Sequence, residues 1–110
     1  MRVWLDDKRP MPADFDKHVV DAIHAIRLLQ TRKVTFISLD HDLGDRTIVG
    51  EGNDVAKFIE FAAYQNMIPR LEWAIHSQNP VGEKNMLVAL QRADGYWSGH
   101  EEKGSIRTLG

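Results

Sequence analysis

Two short runs of the sequence end in neighbouring ionisable side chains. Each run, VWLDDKRP from position 3 and ISLDHDLG from position 37, begins with apolar residues. The ionisable residues are Asp6 and Asp7 in the first run and Asp40, His41 and Asp42 in the second. Four carboxylates brought together would repel one another unless a cation lay between them. The two runs therefore predict a site for a hard divalent cation.

The predicted ion is Mg²⁺, with Mn²⁺ as an alternative. Oxygen ligands suit Mg²⁺, which commonly keeps several waters and uses only a few carboxylates. We expect Asp7 and Asp40 to bind the ion directly and Asp6 to bind it directly or through water. Either the backbone carbonyl or the side chain of Asp42 would complete the shell. Zinc is less favoured, although two histidines near these runs offer nitrogen ligands.

A third run, IHSQNPVGEKN from position 75, has the composition of an anion site. Ser77 offers a hydroxyl, and Asn79 lies at the start of a predicted helix, where free N–H groups and the helix dipole favour phosphate. Lys84, together with Lys8 or Arg9 from the first run, would add positive charge. A helix start also explains Asn79 without any ligand. A cation beside an anion site is typical of phosphoryl chemistry.

Strand and helix patterns alternate along the chain, which predicts a mostly parallel sheet. Predicted strands cover residues 2–5, 17–20, 34–39 and 71–75, and predicted helices cover 21–31, 54–65 and a segment that begins at residue 80. Val81, Met86, Leu87 and Leu90 are the predicted buried face of the last helix. The stretch after the first strand has two prolines and no helical period, so a first helix is reduced or missing. Residues 105–109 form either an edge strand or a loop.

The predicted fold is therefore an α/β, three-layer αβα domain with four or five strands. The 110 residues form one domain, with a core over about 1–93 and a weakly patterned tail over 94–110. In such a sheet, ligands bind beyond the carboxyl ends of the strands. All three polar runs, including His76, come directly after predicted strands, so we expect them to meet at one edge.

Composition excludes several classes of function. The net charge is −2 and the basic residues are scattered, so no binding of duplex nucleic acid is expected. The chain has no cysteine, which excludes disulfides and thiolate catalysis. No apolar run approaches the roughly 20 residues needed to span a bilayer, and no signal-peptide pattern is present. We expect a cytoplasmic protein with no membrane contact.

The three runs together resemble the receiver domain of two-component response regulators. That family has an acidic pair after the first strand, a phosphate-accepting aspartate after the central strand and a hydroxyl after the next one. The resemblance implies that Asp6 and Asp7 are the acidic pair, Asp40 the acceptor and Ser77 the hydroxyl. It also implies that the backbone carbonyl of Asp42 touches a bound magnesium ion.

Four segments of the sequence are more similar to a divergent receiver-like family, the cyclic-phosphate processing receiver domain. These segments are VWLDDKRP, ISLDHDLG, NDVAKFIE and IHSQNPVGEKNM. The similarity spans roughly residues 1–93. It implies hydrolysis of a cyclic phosphate, in a cyclic nucleotide or at a 2′,3′-cyclic RNA end. The lysine that receivers need for switching has no clear counterpart, since Lys103 is followed by glycine. His41 and His76 instead offer side chains suited to proton transfer.

We therefore expect a metal-dependent phosphoesterase with Asp40, His41 and His76 as catalytic residues. Its nucleophile is either water or Asp40, and His76 or His41 protonates the leaving oxygen. The alternative is a non-catalytic receiver-like module that accepts phosphate on Asp40 or sequesters a nucleotide signal. A third reading is a receiver-like fold that serves only as an interaction surface.

Overall fold

Strands and helices alternate in the computed structural model, which describes residues 1–44 and 50–109 and, beyond residue 103, only the backbone. The strands are β1 (Arg2–Leu5), β2 (Lys17–Val19), β3 (Phe36–Leu39) and β4 (Glu72–Ile75). The helices are α1 (Ala22–Gln30), α2 (Gly52–Tyr64) and α3 (Pro80–Leu109). Among the described residues no helix lies between β1 and β2, in agreement with the sequence pattern.

The four strands form one parallel sheet in the order β2-β1-β3-β4. Leu5 pairs with Leu39, and Leu39 pairs with Ile75. The residues that follow these three in the chain are Asp6, Asp40 and His76. Backbone hydrogen bonds extend the pairing beyond the strands, from Asp40 N–H to the Leu5 carbonyl and from His76 N–H to the Leu39 carbonyl, both 3.0 Å. The register therefore aligns the first polar residue after each of the three strands at one edge of the sheet.

Two helices begin at side-chain caps, one of them the Asn79 that the sequence places at a helix start. The Asp21 carboxylate accepts the N–H of His24 at 2.8 Å at the start of α1. The Asn79 side chain accepts the N–H of Gly82 at 3.0 Å at the start of α3, with Pro80 in the first helical position. These caps fix where the polar segments end and the helices begin.

One face of the sheet packs with all three helices in a single apolar core. The sheet contributes Val3, Leu5, Ile37 and Leu39, and the helices contribute, among others, Ala25, Leu29, Ile59, Met86, Leu90 and Trp97. On α3 the predicted buried face is partly wrong, because Val81 and Leu87 are exposed, at 71% and 38%. The buried stripe instead starts at Gly82, which faces the ring of His41, and continues along the helix at positions 86, 89, 90 and 93.

The opposite face of the sheet is covered by the segment 7–16 in place of a helix. Phe15 from this segment contacts Trp4 edge-on, with ring centroids 5.2 Å apart, and contacts Phe36 at 5.8 Å. The Arg2 guanidinium lies 4.3 Å from the Phe36 ring centroid. This segment stands in place of a helical layer on that face, and the four-stranded parallel sheet with its three helices confirms the predicted receiver-like fold class.

The tail continues α3 to Leu109, so the expected strand or loop over residues 105–109 is wrong. Trp97 is 2% exposed, and its indole N–H donates to the Ile68 carbonyl at 3.2 Å. Arg70 binds Glu101 at 2.7 Å. These contacts stabilise a helix that its glycines, including those at positions 95 and 99, would otherwise weaken. None of the described helices has an apolar stretch long enough to cross a membrane.

Candidate active site and metal centre

Three of the four predicted metal ligands come together at the carboxyl edge of the sheet. Asp6, Asp7 and Asp40 each present a carboxylate oxygen, and these oxygens lie within 4.8 Å of one another. Asp6 is completely buried. Oδ1 of Asp7 is also buried and has no hydrogen-bond partner. A buried carboxylate oxygen without a partner is costly, and a divalent cation would satisfy it, so the donor set fits Mg²⁺ or Mn²⁺.

Asp6 is held by three hydrogen bonds. Its Oδ1 accepts the backbone N–H groups of Lys8 at 2.8 Å and Arg9 at 2.9 Å, and its Oδ2 lies 3.0 Å from Nε2 of His76. Burial acts to raise the pKa of Asp6, but the hydrogen bonds from Arg9, Lys8 and His76 outweigh burial and hold the pKa below its ordinary value. Asp6 is therefore an ionised, fixed acceptor.

Asp40 lies in a less favourable environment than Asp6. Burial raises the pKa of Asp40, and the negative charge of Asp6 raises it further. The backbone N–H of His41, which donates to Asp40 at 2.9 Å, opposes part of this effect. A divalent cation beside Asp6 and Asp40 would remove the repulsion between them.

The fourth predicted ligand, Asp42, lies outside this carboxylate cluster. Its carboxylate contacts Nδ1 of His41 at 2.9 Å and the side-chain amide of Asn79 at 3.5 Å. The geometry therefore does not favour direct binding of the ion by the Asp42 side chain. The role of the Asp42 backbone carbonyl stays a prediction.

His41 links the starts of α2 and α3. Its ring is buried, with Nδ1 against Asp42 and Nε2 3.0 Å from Oε2 of Glu51. The ring also packs on Gly82, where an added Cβ would lie 2.3 Å from the imidazole Cγ. Both ring nitrogens are engaged by carboxylates, so the contacts indicate a structural role. Proton transfer by His41 stays a prediction.

His76 lies between Asp6 and a hydroxyl that the sequence analysis missed. Its Nδ1 is 2.7 Å from Oγ of Ser38, and its ring stacks on Trp4 with centroids 3.8 Å apart and planes 5° apart. Burial lowers the pKa of His76, although the hydrogen bond and charge of Asp6 oppose this shift. A signal for Ser38 was present in the sequence, since it is the single polar residue of the apolar strand FISL. In the structure Ser38 is buried.

A cavity of about 190 Å³ opens beside the carboxylates. It is lined by Asp6, Lys8, Arg9, Asp40, Asp42 and Gln78. Two cationic side chains therefore face the same space as the acidic ones, as a site for a metal ion and a phosphate group requires. Gln78 was missed by the sequence analysis, although it lies inside the third polar run.

The other predicted phosphate-binding residues are engaged locally or lie elsewhere. Oγ of Ser77 accepts the N–H of Asn79 at 3.0 Å, and Asn79 in turn caps α3. Lys84 is exposed on α3. None of these three side chains is among the residues that line the cavity. Their contact with phosphate stays a prediction.

Comparison with known families agrees with this arrangement. The family model described as the cyclic-phosphate processing receiver domain matches residues 1–92. Comparisons with curated proteins and with solved structures found no match. The matched range contains all four strands, the carboxylate cluster and the residues that line the cavity. The chain therefore belongs to the cyclic-phosphate processing receiver domain family.

Proposed function

We propose that the chain is a metal-dependent phosphoesterase that hydrolyses a cyclic phosphate. The observation that carries this proposal is the buried, unpartnered Oδ1 of Asp7 within a cluster of three carboxylates. The neighbouring cavity also presents Lys8 and Arg9, which suit an anionic substrate. The family description supports a cyclic phosphate as the substrate class.

Five residues of the site hold the ion or the phosphate in this proposal. Asp7 and Asp40 hold the divalent ion directly, and Asp6 holds it directly or through water. When bound, the ion neutralises phosphoryl oxygens and activates water. Lys8 and Arg9 bind the remaining phosphoryl oxygens and orient the ring of the cyclic ester.

Hydrolysis opens the cyclic ester by one of two routes. The attacking oxygen, from water or from Asp40, forms a new bond to phosphorus while one ester P–O bond breaks. The leaving oxygen takes up one proton, and the attacking water releases one. If Asp40 attacks first, the single water enters afterwards: it hydrolyses the acyl phosphate, releases one proton and regenerates the carboxylate. His76 and His41 remain the predicted donors of the proton, although both have their ring nitrogens engaged by neighbours.

The alternative is a receiver-like module that accepts phosphate on Asp40 without turnover. The juxtaposition of Asp40 with Asp6 and Asp7 supports it, because receivers use the same arrangement. Lys103 does not follow a strand but lies on α3, so it does not match the switch lysine of receivers. This difference favours hydrolysis over signalling.

The proposal is tested by hydrolysis of a panel of cyclic mono- and dinucleotides and RNA with 2′,3′-cyclic ends. With Mg²⁺ or Mn²⁺ present, phosphorus NMR should show conversion of a cyclic phosphate to a monoester, and EDTA should abolish it. Asp40→Asn should lower the rate at least a hundredfold, whereas the exposed control Glu102→Gln should retain it. An intact panel with a folded protein would contradict the proposal.

The two routes of attack give different products with hydroxylamine. A phosphoaspartate at Asp40 is trapped as a hydroxamate, whereas direct attack by water leaves the protein unmodified. Phosphorylation of Asp40 by a small phosphodonor, without turnover of any cyclic substrate, would support the receiver-like alternative.

A further inference from the structure

Ser38, His76 and Asp6 form a chain of hydrogen bonds that leads from the sheet to the carboxylate cluster. Oγ of Ser38 lies 2.7 Å from Nδ1 of His76, and Nε2 of His76 lies 3.0 Å from Oδ2 of Asp6. Ser38 is 4% exposed, and the side chain of Asp6 is not exposed at all. This series of hydrogen bonds is therefore shielded from solvent at both of its ends.

The direction of these hydrogen bonds follows from the chemistry of the acceptor. An ionised carboxylate can only accept, so Nε2 of His76 carries a proton and donates it to Asp6. On a neutral ring, Nδ1 is then an acceptor and receives the hydroxyl proton of Ser38. Asp6 thus selects the tautomer protonated at Nε2, and the Ser38 hydroxyl matches it by donating to Nδ1 and holding the ring with Nε2 towards Asp6.

The rest of the environment fixes the imidazole ring in place. Its face stacks on Trp4, and the carbonyl of His76 accepts the Arg9 guanidinium at 2.6 Å. Neither Ser38 nor His76 is among the residues that line the cavity, whereas Asp6 is. The ring therefore contacts the carboxylate and not the space in which a substrate would lie.

We propose that Ser38 and His76 are positioning residues that hold the Asp6 carboxylate in the orientation required by a divalent cation. The proposal rests on the cation site of the proposed function and gives His76 a role other than donation of a proton to the leaving group. Residues that hold a metal ligand in this way commonly change metal affinity by about 10- to 100-fold when replaced.

Titration calorimetry with Mn²⁺ and Mg²⁺ tests the proposal in the full chain. Ser38→Ala and His76→Leu should weaken cation binding at least about tenfold. His76→Gln, whose amide keeps an N–H donor at a similar reach, should bind within about threefold of the wild type. Glu102→Gln, an exposed residue outside the site, is the matched control. Circular dichroism establishes that each variant is folded.

Nitrogen NMR of the imidazole provides a readout that a purely structural role would not change. In the metal-free protein, His76 should show a protonated Nε2 and an unprotonated Nδ1, and Ser38→Ala should shift the Nδ1 resonance, because Nδ1 loses its hydroxyl donor. Addition of Mg²⁺ should shift the Nε2 resonance of the wild type.

The possible results separate this proposal from the proposed function. Equal cation affinity in the wild type, Ser38→Ala and His76→Leu would overturn the positioning role and leave the phosphoesterase proposal standing. Loss of hydrolysis in His76→Gln, with the cation affinity retained as predicted, would overturn the claim that His76 acts by positioning instead of by proton donation. A wild-type protein that binds no divalent cation would overturn both proposals. Cation binding without hydrolysis of any cyclic phosphate would overturn only the proposed function.

Discussion

Asp7 has the one carboxylate oxygen of the described residues that is both buried and without a hydrogen-bond partner. Asp6, by contrast, is satisfied by two backbone N–H groups and His76. At the scale of single residues, the hydrogen bonds of Asp6 are thus satisfied, whereas one oxygen of Asp7 lacks a partner. A cation bound by Asp7 would supply the missing partner without any change in Asp6.

Lys8 offers a residue-scale prediction about substrate binding. Its side chain is exposed and lines the cavity, so it can attract the phosphate without holding the metal ion. Lys8→Ala should raise KM about fivefold, equivalent to roughly 1 kcal/mol, and change kcat less than about twofold. Steady-state kinetics on the cyclic substrate measure both constants.

The matched control for Lys8 is Lys33→Ala, an exposed lysine that precedes β3 at the opposite end of the strand. It should leave KM unchanged. An equal effect of the two variants would mean that Lys8 acts only through the net charge of the protein.

At the scale of elements, the close packing of α3 on His41 sets the geometry of the site. A Cβ on Gly82 would lie 2.3 Å from the imidazole, whereas a Cβ on Gly95, in the same helix, would contact nothing within 4 Å. Gly82→Ala should therefore destabilise the protein by about 1–3 kcal/mol, and Gly95→Ala should stabilise it by up to about 1 kcal/mol. Denaturant unfolding measures both values, and a stabilised Gly82→Ala would contradict the described packing.

The tail of α3 makes a second prediction at this scale. Trp97 is buried and donates to Ile68, so Trp97→Ala should cost about 3–5 kcal/mol of unfolding free energy. The exposed Lys103, six residues further along the helix, should tolerate alanine within about 0.5 kcal/mol. A cost below 1 kcal/mol for Trp97→Ala would mean that the tail is not part of the folded domain.

The sequence was sufficient to predict the elements that form the site, and not the contacts between them. Apolar strands followed by carboxylates predicted that Asp6 and Asp40 would meet, because the carboxyl ends of parallel strands lie together. The contact of Ser38 with His76 depends on the register of β3 and β4, which no local pattern gives. The helical tail was missed because glycine lowers helix propensity, whereas the burial of Trp97 compensates for it.

At the scale of the whole molecule, three helices cover one face of the sheet and the segment 7–16 covers the other. This segment carries Lys8 and Arg9 into the cavity and Phe15 onto the sheet. The segment that stands in place of a helix between β1 and β2 therefore also supplies two cationic side chains to the cavity. The same segment fixes Asp6 through its backbone N–H groups.

The size of the cavity predicts little selectivity for the nucleobase. Its volume of about 190 Å³ is below the roughly 300 Å³ at which pockets for small molecules usually begin. The phosphate and adjoining sugar atoms would occupy it, and the base would lie outside. Values of kcat/KM for cyclic nucleotides that differ only in the base should agree within about tenfold, and a preference above a hundredfold would contradict this prediction.

The central claim, a divalent cation held by the carboxylate cluster, is tested most directly by thermal denaturation of the wild type and Asp7→Asn across a Mg²⁺ titration. In EDTA, Asp7→Asn should be at least as stable as the wild type, because the substitution removes a buried, unpartnered anionic oxygen. The wild type should gain about 2.7 kcal/mol at a Mg²⁺ concentration one hundred times its Kd, and Asp7→Asn should gain far less. A wild-type Tm that does not change with Mg²⁺ or Mn²⁺, or an equal rise in both proteins, would contradict the account.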